Sequence, residues 1–205
     1  EIKKPGTPLL GINMGRRGFL AEVEKNNLKQ AIDRLLGNKY YLEDSLKVSS
    51  SSPDSKDSFP DALNEVLIAS SLPSKMIVMS IKIDGEEIIE IQADGCLVST
   101  PTGSTAYNMS AGGSVLAPGI DAMIITAICP YSYFNSMVVP ANTEVSIDLL
   151  KPRTDAMAII DGRAYIGLKP KSSVQIKVSS NRARFVRFKS FYQRLEKRFH
   201  YLQKQ

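Results

Sequence analysis

Asn64 and Glu65 set a carboxamide beside a carboxylate just before an apolar run, Val66-Leu67-Ile68. Asn can donate to and accept from a base edge or an amide, and Glu can accept from hydroxyls such as those of a ribose. The same pair also suits a simple turn at a strand entry. Residues 94–119, DGCLVSTPTGSTAYNMSAGGSVLAPG, carry the densest run of small hydroxyl side chains. A short apolar run leads into Thr100-Pro101-Thr102-Gly103-Ser104-Thr105. A helical turn opens at Thr105-Ala106-Tyr107 and closes at Gly112-Gly113. Strand, hydroxyl-rich loop and helix start can present backbone N–H groups to an anion or polar ligand; they can equally be a hairpin and a connecting helix. No Lys follows the loop, so it is not a phosphate loop of the GxxxxGK[ST] kind. Gly11, Gly15 and Gly18 suit close backbone approach, and Arg16 and Arg17 could neutralise phosphate or lie on the surface.

These residues need a β-rich scaffold to hold them. Short apolar or alternating runs recur at residues 8–13, 40–48, 76–83, 86–93, 123–129, 138–140, 144–149, 156–160, 174–178 and 183–188. Asp84-Gly85 turns one hairpin, and Asp161-Gly162-Arg163 ends another strand. Leu28, Ala31, Ile32, Leu35 and Leu36 follow helical spacing, with Gly37-Asn38 as a C-cap. Residues 190–202 return to helix, with Phe191-Tyr192, Leu195 and Phe199 as its contact side and its Arg and Lys solvated. Residues 49–58, SSSSPDSKDS, lack any apolar side chain and are expected to be a flexible surface loop. Closely spaced strands joined by turns predict a β-sandwich or layered β domain within an α+β fold.

Composition narrows the function classes. The 205 residues suffice for one large domain or two small ones. The net charge of +5 gathers near the C-terminus, where residues 182–204 hold eight Arg and Lys against Glu196 alone. No nucleic-acid motif accompanies that cluster, so nucleic acid is not the expected partner. Cys96 and Cys129 lie in apolar runs and are expected to be reduced, buried thiols. The single His200 cannot support a His-rich metal site, and no metal ligands are assigned. No apolar run approaches 18 residues, which predicts a soluble, cytoplasmic protein with no membrane partner. Asn108-Met109-Ser110 matches a glycosylation sequon, though nothing else points to secretion.

Five blocks in order make the pattern specific. Residues 10–20, LGINMGRRGFL, are similar to a GxNxGxxGFL segment; Ala62-Leu63-Asn64-Glu65-Val66 to an Asn-Glu motif; residues 94–110 to DGxxxSTPTGSTAYxxS. Ile128-Cys129-Pro130 and Asp161-Gly162-Arg163 match two later blocks. Together they resemble the NAD kinase family, the ATP- or polyphosphate-dependent kinases that phosphorylate the 2′-hydroxyl of the adenosine ribose of NAD.

The resemblance implies a β-sandwich NAD-binding domain at residues 40–180. Residues 1–39 would be a remnant of an N-terminal α/β domain on the ATP side, and residues 181–205 would carry a helix packing back on it. Asn64 and Glu65 would hold the adenosine half of NAD, with Glu65 at the ribose. Thr102, Thr105, Ala106, Tyr107 and Ser110 would line the adenine, and a Tyr face can stack on a base. Asp94 would accept from the nicotinamide carboxamide, Phe19 would wall the site and Asp161 would sit near the reacting end. Gln92 stands where many members carry a basic residue. Cys129 would contribute from a neighbouring subunit of a homodimer or homotetramer. NADP would be the product, and a divalent cation, Mg²⁺, would accompany ATP.

One departure stands out. The family's Gly-Gly-Asp-Gly motif, which supplies the catalytic Asp, is absent from these residues. No catalytic residue is therefore assigned, and the chain as written is expected to turn over little. A non-catalytic NAD(P)-binding module and a lipid kinase of the wider superfamily are the alternatives.

Overall fold

Alternation of apolar and polar side chains in the middle of the chain closes two antiparallel sheets over one core. The structure is a computed structural model and describes residues 6–15, 20–150 and 155–202. The chain forms two compact units: residues 46–181 make one, and residues 1–45 with 182–205 make the other.

In chain order the elements are β1 (Ile12–Asn13), β2 (Val23–Glu24), α1 (Leu28–Leu36) and β3 (Tyr41–Ser45), then β4 (Val48–Ser51), β5 (Glu65–Ser70), β6 (Ile77–Ile83) and β7 (Glu86–Ala93). Next come β8 (Gly95–Ser99), α2 (Tyr107–Ser110), β9 (Ala122–Ile128), β10 (Met137–Pro140), β11 (Val145–Leu149), β12 (Ala156–Ile160), β13 (Ala164–Leu168) and β14 (Ser173–Val178). β15 (Ala183–Arg187) and α3 (Phe191–Leu202) end the chain's regular structure.

The larger unit is a two-sheet sandwich. One sheet runs β10-β9-β8-β5-β12-β13 and the other β4-β14-β11-β6-β7. Val66, Ile68, Val98, Ile125 and Ala158 of the first sheet share a core with Met79, Ile81, Ile91, Ile147 and Ile176 of the second. Burial of this apolar surface drives the folding of the unit. The opposite face of the six-stranded sheet is covered as well, because Leu67, Leu97 and Ile124 are buried there too. That covered outer face explains why the middle of β5 and β8 and nearly all of β9 are continuously apolar.

In the other unit, β3 pairs antiparallel with β15, and β1 pairs parallel with β2. Two arginines are deeply buried, one of them, Arg194, on the helix whose Arg and Lys were expected to be solvated. Arg187 is 3% exposed and Arg194 8%. Arg187 Nε donates to Glu43 Oε1 at 2.8 Å, and Arg194 Nη2 donates to Glu43 Oε2 at 2.8 Å. Glu22 Oε1 accepts the backbone N–H groups of Phe188 and Lys189. Tyr192 and Phe199, expected to be contact residues, are exposed, while Phe191 is buried.

Two further expectations change. The run at residues 40–48 is not one strand: it divides into β3 and β4, which lie in different sheets. Ser49, Ser50 and Ser51 belong not to a loop but to β4, paired with Lys177, Ile176 and Gln175 of β14. An edge strand is held by its backbone hydrogen bonds, which a serine supplies as well as a valine. Phe19, Arg16 and Arg17 lie outside the described residues. None of the described helices is long and apolar enough to cross a membrane.

Candidate functional site

The Asn64-Glu65 segment enters β5 under restraint from two sides. Asp161, on the turn between β12 and β13, accepts from the N–H groups of Leu63 (2.8 Å), Asn64 (2.7 Å) and Glu65 (3.1 Å). Its own N–H donates back to Glu65 O at 3.1 Å. On the other side, Thr100 Oγ1 donates to Leu63 O at 2.6 Å, and Thr100 N–H donates to Asn64 O at 2.9 Å. Asp161 and Gly162 both adopt positive φ (49° and 63°), a conformation that Asp tolerates and Gly takes freely. The reversal carries the Asp161 carboxylate over the start of β5.

Glu65 itself is 8% exposed, and its Oε2 has no hydrogen-bond partner among the described residues. Burial, followed by the charge of Asp161, pushes its carboxyl up to about 7. An unsatisfied buried carboxylate costs stability, and a ligand hydroxyl that reaches it recovers part of that cost. Asn64 beside it is half-buried, so its amide remains within reach of solvent.

The hydroxyl-rich loop folds onto this segment. A 3₁₀ turn spans Gly103–Thr105, and α2 follows at once. A Cβ on Gly103 would lie 2.0 Å from Asn64 O, so only glycine permits this approach. The N–H groups of Gly103, Ser104 and Ala106 bond to Thr100 Oγ1, Thr100 O and Gly103 O. These amides are therefore engaged within the loop and do not form an anion cradle. Thr105 is also turned inward, its hydroxyl donating to Thr102 O at 3.1 Å. Thr102 and Ala106 are half-buried, and Tyr107 (42% exposed) and Ser110 are open to solvent. They can meet a flat polar ligand.

One residue at the heart of this loop escaped the sequence reading. Asn108 is fully buried; its Nδ2 donates to Ser104 O (3.1 Å) and Ser114 O (2.8 Å), and its Oδ1 accepts from Thr126 Oγ1 (2.7 Å). It ties loop, α2 and β9 together, and no glycan can reach it. The signal was Thr126, a lone hydroxyl in an otherwise apolar strand.

The predicted residues fall into two groups. Asn64, Glu65, Asp161 and the loop from Thr102 to Tyr107 gather at one end of the six-stranded sheet. Asp94 and Cys129 sit at the other end: Glu65 pairs with Ser99, whereas Gly95 pairs with Ala69 and Ile128. Four residue steps along β8 separate the two ends, roughly 14 Å at strand rise. Cys129 is exposed, contrary to expectation, because its φ of 46° turns the chain out of β9. Among the described residues no group of three or more His, Cys, Asp or Glu could hold a metal ion.

A β-sandwich with a clamped Asn-Glu pair beside a hydroxyl-rich loop leaves a buried acceptor at a sheet end. Comparison with known proteins gives that arrangement a family. Residues 63–188 match the ATP-NAD kinase C-terminal domain. The NAD kinase of Thermococcus gammatolerans is 39% identical over 202 residues, 96% of this chain and 72% of that protein. The NAD kinase of Methanopyrus kandleri is 41% identical over 194 residues, 94% of this chain and 68% of that protein. A crystal structure of an NAD kinase from Archaeoglobus fulgidus in complex with ATP superposes with a TM-score of 0.78 at 30% identity, over 94% of this chain and 72% of that one. Yeast NADH kinase complexed with NADH gives 0.75 at 26% identity, over 90% of this chain and 55% of that one. The chain belongs to the NAD kinase family, transferases that phosphorylate NAD.

Proposed function

We propose that this chain binds the adenosine end of NAD at Asn64-Glu65, for phosphorylation of the ribose 2′-hydroxyl to give NADP. The observation that carries the reading is the buried Glu65 Oε2 without a partner among the described residues, next in sequence to the half-buried Asn64 carboxamide. A ribose hydroxyl donates to Glu65, the Asn64 amide meets a polar edge, and the Tyr107 ring offers its face to the base. ATP is the favoured donor, because a relative is known in complex with ATP; polyphosphate remains the alternative. Mg²⁺ would supply charge neutralisation on the donor phosphates, and such an ion is held mainly by phosphate and water. The described residues offer it no protein cage.

The separation of Asp94 and Cys129 from Glu65 supports a shared site. In this reading a second copy of the chain supplies Asp94 to the nicotinamide carboxamide, so the working form is a homodimer or homotetramer. The two units correspond to an NAD-binding β domain and a remnant of the ATP-side domain with its returning helix. The protein works in the cytoplasm.

These 205 residues contain no Gly-Gly-Asp-Gly segment. Phosphoryl transfer depends on positioning and on charge neutralisation at the phosphates. The chain as written therefore binds NAD but forms NADP slowly, and a version carrying that segment is the efficient kinase. Coupled assay of NADP formation with NAD, ATP and Mg²⁺ on both forms tests this. Equal rates would overturn it.

A further inference from the structure

We propose that Asp161 is a positioning residue and not a reacting group: its carboxylate fixes the Leu63–Glu65 backbone and sets a second negative charge behind the Glu65 side chain. The inference rests on the reading that NAD is held at Asn64-Glu65. The geometry leaves Asp161 little else to do. Its two oxygens already accept three backbone N–H groups at 2.7–3.1 Å, and its N–H is bonded to Glu65 O. A carboxylate so engaged is poorly placed to take a proton from a substrate hydroxyl. Its place in the left-handed region is held by the turn, so the carboxylate is not free to swing away.

The charge has a second effect. Glu65 faces Ser99, its register partner on β8, and Asp161 beyond β12. β8 and β12 bring no Lys, Arg or His beside it, and their one titratable side chain, Cys96, is a buried thiol pushed up to about 12 and hence neutral. Arg163, on the same turn, is exposed. Asp161 is thus the charge that Glu65 meets, and it adds to the larger effect of burial in holding Glu65 partly protonated near neutrality. The ionised carboxylate is the stronger acceptor for a ribose hydroxyl, so NAD favours that form. Below the midpoint, binding releases one proton from Glu65 to solvent, and affinity falls by up to about tenfold per pH unit.

The test is calorimetric titration of NAD across pH 5.5 to 8.5, for the unaltered protein, Asp161→Asn and Glu65→Gln. Asn keeps an acceptor and tolerates positive φ, but loses the charge. For the unaltered protein the affinity should rise through about pH 7. Asp161→Asn should move that midpoint to lower pH and weaken binding at pH 8 about tenfold through the loosened clamp. Glu65→Gln should bind weakly with no such midpoint. An unmoved midpoint in Asp161→Asn, with NAD still bound, overturns the inference alone. Absence of NAD binding by every form, the unaltered protein included, overturns the site reading on which it rests. Should Asp161→Asn not fold, NMR of the unaltered protein decides. The amide resonances of Leu63, Asn64 and Glu65 should shift together as one acid titration proceeds, and independent movement of the three overturns the clamp.

Discussion

At the residue scale, Glu65 is where function and stability oppose each other. Its carboxyl ordinarily titrates near 4.5, and the folded protein raises it to about 7. Folding therefore binds a proton between these values, and stability falls as pH rises through that window. Below pH 4 the carboxyl is protonated in both states and carries no penalty. Above 7 the penalty is complete, on the order of 3 kcal/mol at about 1.4 kcal/mol per unit. Glu65→Gln should leave the unfolding free energy at pH 4 nearly unchanged and raise it at pH 8 by up to about 3 kcal/mol. Denaturant unfolding at the two pH values measures this, and equal effects at both would contradict the assigned burial. The same substitution replaces a charged acceptor for the ribose by a weaker neutral one, so the protein keeps a destabilising group where the ligand needs it.

At the scale of elements, the hydroxyl-rich loop is a fixed platform. Asn108 supplies three hydrogen bonds from full burial. Asn108→Ala would leave Thr126 and two carbonyls without partners, a cost of about 2–4 kcal/mol. Thermal unfolding should show that loss together with weaker NAD binding, since Thr102, Ala106 and Tyr107 lose their support. Unchanged NAD affinity would show that the loop does not line the site. In α3 the equivalent feature is Arg194, paired with Glu43 and bonded to Lys189 O at 2.8 Å. Arg194→Ala removes one of two arginines, with Arg187, that pair with Glu43 and Glu22, and should destabilise by about 3 kcal/mol. A shift under about 0.5 kcal/mol in denaturant unfolding would mean the pair is as weak as a surface one.

At the scale of the whole molecule, the sequence carried the β-rich architecture because burial on one or both faces imprints itself as alternation or as a continuous apolar run. β4 escaped because its small serines lie at a sheet edge, where the backbone alone does the pairing. The burial of Arg187 and Arg194 escaped because their partner Glu43 lies 144 and 151 positions away. The clamp that Asp161 makes was hidden because the amide it holds most closely, that of Asn64, is 97 positions upstream. The motif residues were legible as a set, but not their division between two ends of one sheet. That division requires the strand register, and it is what makes a second copy of the chain part of the proposed site. The account as a whole depends on NAD entering at Glu65. Calorimetric titration of NAD into the unaltered protein, Glu65→Ala and, as a control at an exposed position between β4 and β5, Lys56→Ala at pH 8 tests this most directly. The account predicts saturable binding by the unaltered protein and by Lys56→Ala, with Glu65→Ala at least about tenfold weaker, a difference of about 1.4 kcal/mol. Equal affinity in all three, or no binding by any, would contradict it.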